Sequence, residues 1–195
     1  VDITYAGGSV PPTDPGSYMV TGVVNDTMFH QEAESVLTVS KRAISVYLSG
    51  LEQSYDGTPR SVTATTMPAG LSISVTYNGA NEAPVNGGSY FVVAEVDDGF
   101  YVGSATGTLV VQTSAQTINF PTIPDQVITG LVTLAATASS GLPVTYDVLS
   151  GPAVLASATG LSFTGTGVVN VVASQAGDEN FGAASNVTRS FAVYP

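Results

Sequence analysis

One pattern constrains this chain more than any other: it repeats itself without a gap at an offset of about 72 residues. Val-Asp-Ile-Thr-Tyr at residues 1–5 returns as Ile-Ser-Val-Thr-Tyr at residues 73–77, and Gly-Ser-Tyr at residues 16–18 returns at residues 88–90. A period of that size belongs to tandem modules, each burying a small core of its own, and not to one large core. The repeat therefore divides the 195 residues into residues 1–41, 42–113 and 114–195. The first is expected to be the C-terminal half of a module whose complete form follows it, because nothing in it corresponds to residues 42–72.

The periodicity within modules is that of strands, and no stretch reads as a helix. From Ser89 to Val96 the residues alternate, placing Tyr90, Val92, Ala94 and Val96 on one face and Ser89, Phe91, Val93 and Glu95 on the other. The first copy has Tyr18, Val20, Gly22 and Val24 at the matching places, so that face is expected to be the core, with Glu95 and Val23 toward solvent. Gly7-Gly8, Asn78-Gly79, Asn86-Gly87-Gly88, Gly141-Leu142-Pro143 and Gly151-Pro152 supply turn chemistry between strands. In the last segment, residues 116–121, 137–146 and 168–174 read as sandwich strands. Asn170 lies on the solvent side of the last, and Val169, Val171 and Ala173 point inward.

Short linkers, Ser40-Lys41-Arg42-Ala43 and Gln112-Thr113-Ser114-Ala115, join the modules. Neither has the length or composition of a flexible tether, which predicts a stiff rod. The unmatched first segment is expected to leave strand edges open for pairing or swapping with another chain, or for packing on the next module.

Composition narrows the function classes. Charged residues are 10% of the chain, against about 25% in an ordinary soluble domain. Net charge is −11, with Lys41, Arg42, Arg60 and Arg189 as the only bases, too few and too scattered to neutralise a phosphate backbone or anionic lipid. No apolar run approaches a membrane span, and no signal-like segment opens the chain. It is expected to be an interior stretch of a longer array whose export signal or anchor lies elsewhere. Cysteine is absent, removing disulfides, thiolate catalysis and thiolate metal sites together. With Thr, Ser and Gly in place of charge, the composition favours an extracellular or bacterial cell-surface location.

Residues 43–111 resemble the MBG ("mostly β-grasp") modules of large bacterial surface and secreted repeat proteins. The resemblance rests on Tyr55-Asp56-Gly57-Thr58-Pro59, Pro68-Ala69-Gly70-Leu71, Val75-Thr76-Tyr77-Asn78-Gly79, Gly88-Ser89-Tyr90 and residues 98–105. Residues 1–41 resemble the C-terminal half of the same module, with Thr27-Met28-Phe29-His30-Gln31-Glu32 departing from the usual ending. The last segment resembles a bacterial immunoglobulin-like repeat through residues 138–146 and 174–181. The resemblance implies an all-β chain of tandem small modules, β-grasp-like MBG modules plus an Ig-like β-sandwich, arranged as an elongated rod. It implies a non-catalytic spacer role, with adhesion as an addition and a carbohydrate-binding module as the alternative. Fold by itself fixes no ligand.

Candidate sites are few. Asp26-Thr27-Met28-Phe29, Asp98-Gly99-Phe100-Tyr101 and Asp178-Glu179-Asn180-Phe181 share an Asp-x-x-aromatic pattern before a closing strand. Calcium takes six to eight oxygens, and Asp97, Asp98 and Asp178 are the candidate metal ligands. The simpler reading is an Asp capping its own turn while the aromatic plugs the module end. The linkers carry no acids, which argues against calcium at the junctions. His30, the only histidine, is matched by Val102 in the second copy and reads as a solvated turn residue, not a catalytic base. Glu32 and Glu34 read as a solvated strand edge, not a glycosidase pair. Lys41 as an isopeptide donor is disfavoured because Thr113 stands at the matching place. No catalytic or cofactor-binding residue emerges, so no enzyme is expected. The expected partners are neighbouring modules of the same chain, with an unidentified protein or glycan ligand beyond them, and neither nucleic acid nor membrane. Tyr5, Tyr18, Tyr77 and Tyr90 recur with the repeat and are expected in module cores, while Tyr47, Tyr55 and Tyr146 are not placed by it. The sequons at Asn25 and Asn186 are chance matches in a bacterial protein.

Overall fold

A computed structural model describes all 195 residues, and every regular element is a β-strand. The first module contributes β1 (Asp2–Tyr5), β2 (Gly16–Asn25) and β3 (His30–Val39). The second contributes β4 (Arg42–Ala43), β5 (Ser45–Ser49), β6 (Glu52–Ser54), β7 (Thr63–Met67), β8 (Ser74–Tyr77), β9 (Gly88–Asp97) and β10 (Tyr101–Gln112). The third contributes β11 (Ile118–Asn119), β12 (Gln126–Val127), β13 (Leu131–Thr133), β14 (Thr137–Ala138), β15 (Thr145–Ser150), β16 (Ala153–Leu155), β17 (Gly160–Phe163), β18 (Gly167–Ser174) and β19 (Val187–Tyr194).

Compactness does not follow the repeat. One unit comprises residues 1–51, 61–83 and 90–109, and the other residues 52–60, 84–89 and 110–195. Most of the second module thus groups with the first, and residues 52–60, 84–89 and 110–113 group with the third.

In the first unit the repeat is visible as geometry. β1 pairs antiparallel with β2 through Tyr5↔Val20, and β8 pairs with β9 through Tyr77↔Val92, which is the same pair 72 residues on. The turns match as well. Ala6 and Asn78 both take φ of 48°, followed by Gly7 at 88° and Gly79 at 86°, closing two-residue hairpin turns from Tyr5 to Gly8 and from Tyr77 to Ala80. That left-handed conformation is natural for Asn and strained for Ala. The Asn78 side chain also accepts a bond from the Phe91 N–H at 2.8 Å, a bond Ala6 lacks the atoms to make.

The two copies differ in what covers them. The hairpin β5–β7 lies over the second copy, giving a core of Val46, Ala94 and Val96 with Ile44, Leu48 and Val75 against it. Val92 and Ala94 are wholly buried there, and Phe91 on the opposite face is exposed, as the alternation predicts. β4 pairs in parallel with β10, Tyr101 opposite Arg42 and Val102 opposite Ala43. β3 of the first copy pairs only with β2, so its outer edge has no strand, and Val20, Gly22 and Val24 are only half-buried.

The second unit is built on a two-sheet sandwich. A four-stranded sheet runs β12-β19-β18-β15 and a three-stranded one β13-β17-β16, with β11 and β14 forming a short ribbon. Their shared core holds Phe120, Leu134, Tyr146, Leu161, Phe191 and Val193. Val169, Val171 and Ala173 point inward as expected, whereas Asn170 is half-buried and donates to Ser150 Oγ at 2.8 Å. Val172 is also buried, so this strand is covered on parts of both faces. In the same unit β6 pairs in parallel with the end of β10, Glu52 to Ser54 opposite Val110 to Gln112.

Candidate functional site

The three Asp-x-x-aromatic stretches are tight turns, and in each the carboxylate is used by its own backbone. Asp98 Oδ1 accepts from the Phe100 N–H at 2.7 Å and the Tyr101 N–H at 2.6 Å. Asp178 Oδ1 accepts from the Asn180 and Phe181 N–H groups, both at 2.8 Å. Asp26 Oδ1 accepts from the Met28 N–H at 3.0 Å. Each turn closes with the Asp N–H donating to the aromatic residue's carbonyl, at 2.9 Å for Asp26, 3.2 Å for Asp98 and 2.9 Å for Asp178. The amides of Tyr101 and then Phe100 hold the Asp98 carboxyl below its ordinary pKa, with the Lys41 charge adding a smaller push in the same direction.

Asp97 forms an ion pair with Lys41 at the surface, a class of contact that contributes little stability. No group of three or more His, Asp or Glu side chains gathers anywhere as a potential cation site. Asp97 thus pairs with Lys41 while Asp98 and Asp178 accept from amides of their own turns, with Asp178 in one compact unit and the other two in the other.

The turns do more than close hairpins. The linker entering the second module docks on the Asp98 turn, where the Arg42 N–H donates to the Phe100 carbonyl at 2.7 Å and the Ile44 N–H to the Val102 carbonyl at 3.0 Å. The linker entering the third docks on the Asp178 turn in the same way. There the Ser114 N–H donates to the Asn180 carbonyl at 2.8 Å and the Gly182 N–H returns a bond to the Ser114 carbonyl at 2.9 Å. In both cases the acceptor stands two residues after the Asp. Two backbone amides fix the carboxylate, the carboxylate fixes the turn, and the turn presents one carbonyl to the incoming strand.

The Asp178 turn also grips the end of the second module that shares its compact unit. Asn86 Nδ2 donates to Glu179 Oε1 and the Gly87 N–H to Asn180 Oδ1, both at 2.9 Å. A Cβ at position 87 would collide with the Glu179 carbonyl, so glycine is required for this approach. Phe181 meets Tyr55 edge-to-face at 5.4 Å between ring centroids, and the Ser114 hydroxyl donates to the Tyr55 carbonyl. Tyr55 is set by the turn after it, where Asp56 accepts from the Thr58 N–H at 2.9 Å and the Thr58 hydroxyl at 2.6 Å and pairs with Arg60 at 2.5 Å. The Thr58 hydroxyl is the main cause, ahead of the Thr58 amide and Arg60, of a lowered Asp56 pKa.

Behind this junction lies a group that sequence reasoning missed. Buried Gln116 donates through Nε2 to Gln175 Oε1 and to the Gly182 carbonyl, both at 2.8 Å, and accepts from Ser140 Oγ at 2.5 Å. The Gly177 N–H donates to the same Gln175 oxygen. A glutamine in a strand-rich segment gives no sign of burial, and only the fold reveals that two of them brace the loop carrying Asp178.

The remaining candidates are placed as follows. His30 opens β3 as an exposed strand residue, not in the turn where it was expected. Glu32 and Glu34 lie exposed on the same edge strand. Of the recurring tyrosines only Tyr77 is fully buried, its hydroxyl accepting from the Val62 N–H at 3.0 Å, while Tyr5, Tyr18 and Tyr90 are half-buried. Tyr146 is buried and Tyr47 is exposed.

A family model described as "MBG domain" matches residues 1–43 and again residues 44–115. No curated protein matches the chain. A solved structure, "Tandem Ig repeats of Dlar", aligns at 14% identity with a TM-score of 0.27, covering 77% of this chain and 97% of that one.

Proposed function

This chain belongs to the MBG domain family, and from that premise we propose that it is a non-catalytic structural segment of a bacterial cell-surface or secreted repeat protein, holding neighbouring modules in fixed succession. In this reading residues 114–195 are an immunoglobulin-like repeat following the MBG modules, and any adhesive role belongs to the array that the segment supports. The observation that carries the proposal is the duplicated anchoring of each linker on the module it enters, with Arg42 on Phe100 and Ser114 on Asn180. In two of its three copies the shared turn motif anchors the linker that enters its module. Its carboxylates accept from backbone amides of their own turns.

Backbone relaxation of the 195-residue chain, with a glycan array on the same material, tests this. Amides of Arg42 and Ser114 as rigid as those in β9 and β18, with no glycan retained, are the expected result. Mobile linker amides would remove the spacer role, and saturable glycan binding would replace it with a lectin.

A further inference from the structure

Asn-Gly occurs twice in the chain, at Asn78-Gly79 and Asn86-Gly87. It is the most reactive setting for an asparagine side chain, because the following backbone nitrogen can close on the amide carbon when no Cβ stands in the way. The two sites are held differently. Asn78 lies within its own hairpin turn, its Oδ1 accepting from the Phe91 N–H at 2.8 Å. Asn86 is exposed and is held on the Asp178 turn. Its Nδ2 donates to Glu179 Oε1 and the next amide, the Gly87 N–H, donates to Asn180 Oδ1, both at 2.9 Å. All four of these residues belong to one compact unit. Glycine at position 87 is not free to vary, because a Cβ there would run into the Glu179 carbonyl. The close approach that fixes this joint thus also places the most reactive neighbour directly after Asn86. An open cleft of about 620 Å³ borders Gly87 and Glu179 and gives water access to the pair.

We propose that Asn86 is a self-modification site, a one-way release for the joint between Asn86-Gly87 and the Asp178 turn. The Gly87 nitrogen attacks Asn86 Cγ, a new N–C bond forms, the Cγ–Nδ2 bond breaks, and ammonia leaves with the Gly87 amide proton. Water then opens the cyclic imide at either carbonyl, giving aspartate or isoaspartate. While the joint is closed the reaction is blocked. The attacking nitrogen has its proton bound to Asn180 Oδ1, and the departing amide is held by Glu179. The reaction proceeds only from the opened joint, so its rate follows how often the joint opens.

The product does not refit. Where Asn86 Nδ2 donates to Glu179, a carboxylate oxygen would face a carboxylate oxygen, and a hydrogen bond is replaced by like-charge repulsion. Isoaspartate also adds one carbon to the backbone just ahead of Gly87, which has no room to move toward the Glu179 carbonyl. Asn180 links the joint to the linker, since its own carbonyl accepts from the Ser114 N–H at 2.8 Å. Loosening at Asn86 therefore reaches the linker that enters the third module. In the first copy of the repeat the matching dipeptide is Asp14-Pro15, with neither a side-chain amide nor a second backbone N–H, so it cannot react in this way. The chemistry stands on the geometry of the joint, and its role as a release rests on the reading of this segment as one that holds modules in succession.

The test holds the full chain at mildly alkaline pH, folded and in urea, and follows Asn78 and Asn86 separately through the mass gain and isoaspartate content of their peptides. Asn86 is expected to react about tenfold or more slowly in the folded chain than in urea. Asn180→Ala, which frees the Gly87 N–H, should speed Asn86 several-fold in the folded chain and leave Asn78 unchanged. Asn86→Asp places the product there directly and should speed amide exchange at Gly87 and Ser114 by about tenfold. Adding Glu179→Gln to that chain should restore most of the protection, because the new amide donates where two carboxylates repelled. Protected β18 amides show that the third module stays folded in every variant. Equal Asn86 rates in the folded chain and in urea overturn the proposal, and so does an Asn86→Asp chain whose Gly87 and Ser114 amides exchange as in the parent. That last result sinks the release and leaves the spacer reading intact, whereas glycan binding would displace the spacer reading and leave the Asn86 rates standing.

Discussion

Val20 and Val92 occupy the same place in two copies of one repeat, on the same strand, beside the same paired tyrosines, yet Val92 is wholly buried and Val20 is not. The difference lies in the strands above them. Where β5 and β7 are present, the alternating face becomes a core; where no counterpart is present, the same pattern is a half-exposed surface. Binary patterning states which face wants covering, and it does not supply the cover. β3 carries Gln31 and Ser35 where β10 needs Gly103 and Gly107 to let the covering chain approach.

Exchanging those residues should break the comparison most sharply. Gly103→Gln forces a side chain into the Ile44 backbone and is expected to destabilise the second module by about 3 kcal/mol. Gln31→Gly should change the first module by less than about 1 kcal/mol, near the backbone cost of a strand glycine. Both are read from module-resolved amide exchange against denaturant. Val92→Ala should cost about 2 kcal/mol through the lost methyls and the cavity they leave. Val20→Ala, at a half-covered site, should cost under half as much, and equal losses would mean that the first face is covered in solution. Ala6→Asn runs the other way. It relieves the left-handed strain and restores the side-chain bond seen at Asn78, and is expected to raise the stability of the first module by about 1 kcal/mol.

The smallest effect is the acid response of the Asp98 turn. Because the folded-state pKa of Asp98 is depressed, the stability it contributes is fully present above the ordinary carboxylate value and is lost as pH falls through the depressed one. Asp98→Ala should make the acid destabilisation of the second module shallower without abolishing it, since Asp56 is lowered with the same sign. An unchanged pH profile would show that the turn does not depend on its carboxylate.

Several of these features were open to sequence reasoning because they are local. The alternation of Tyr90, Val92, Ala94 and Val96, the Asn78-Gly79 turn and the self-capping Asp98 each follow from residues within a few positions of one another. The shared fate of Phe100 and Asn180 as linker acceptors was not legible, because a backbone carbonyl leaves no trace in side-chain identity. The Gln116–Gln175 pair was hidden for the related reason that its partners are 59 residues apart. Short strands such as β4, β6 and β12 join their neighbours by parallel pairing, and two or three residues are too few to show a period.

The sequence by itself determined that this chain is made of tandem β modules, where the repeat runs and which face of each strand is apolar, since period and alternation are written in residue order. Only the tertiary structure decided which apolar face is a core, what the Asp-x-x-aromatic turns hold and how Asn86, Gly87 and Tyr55 meet Glu179, Asn180 and Phe181. Those outcomes depend on which backbone groups remain unpaired once the strands have formed, and an unpaired edge is a property of the assembled sheet and not of any residue in it.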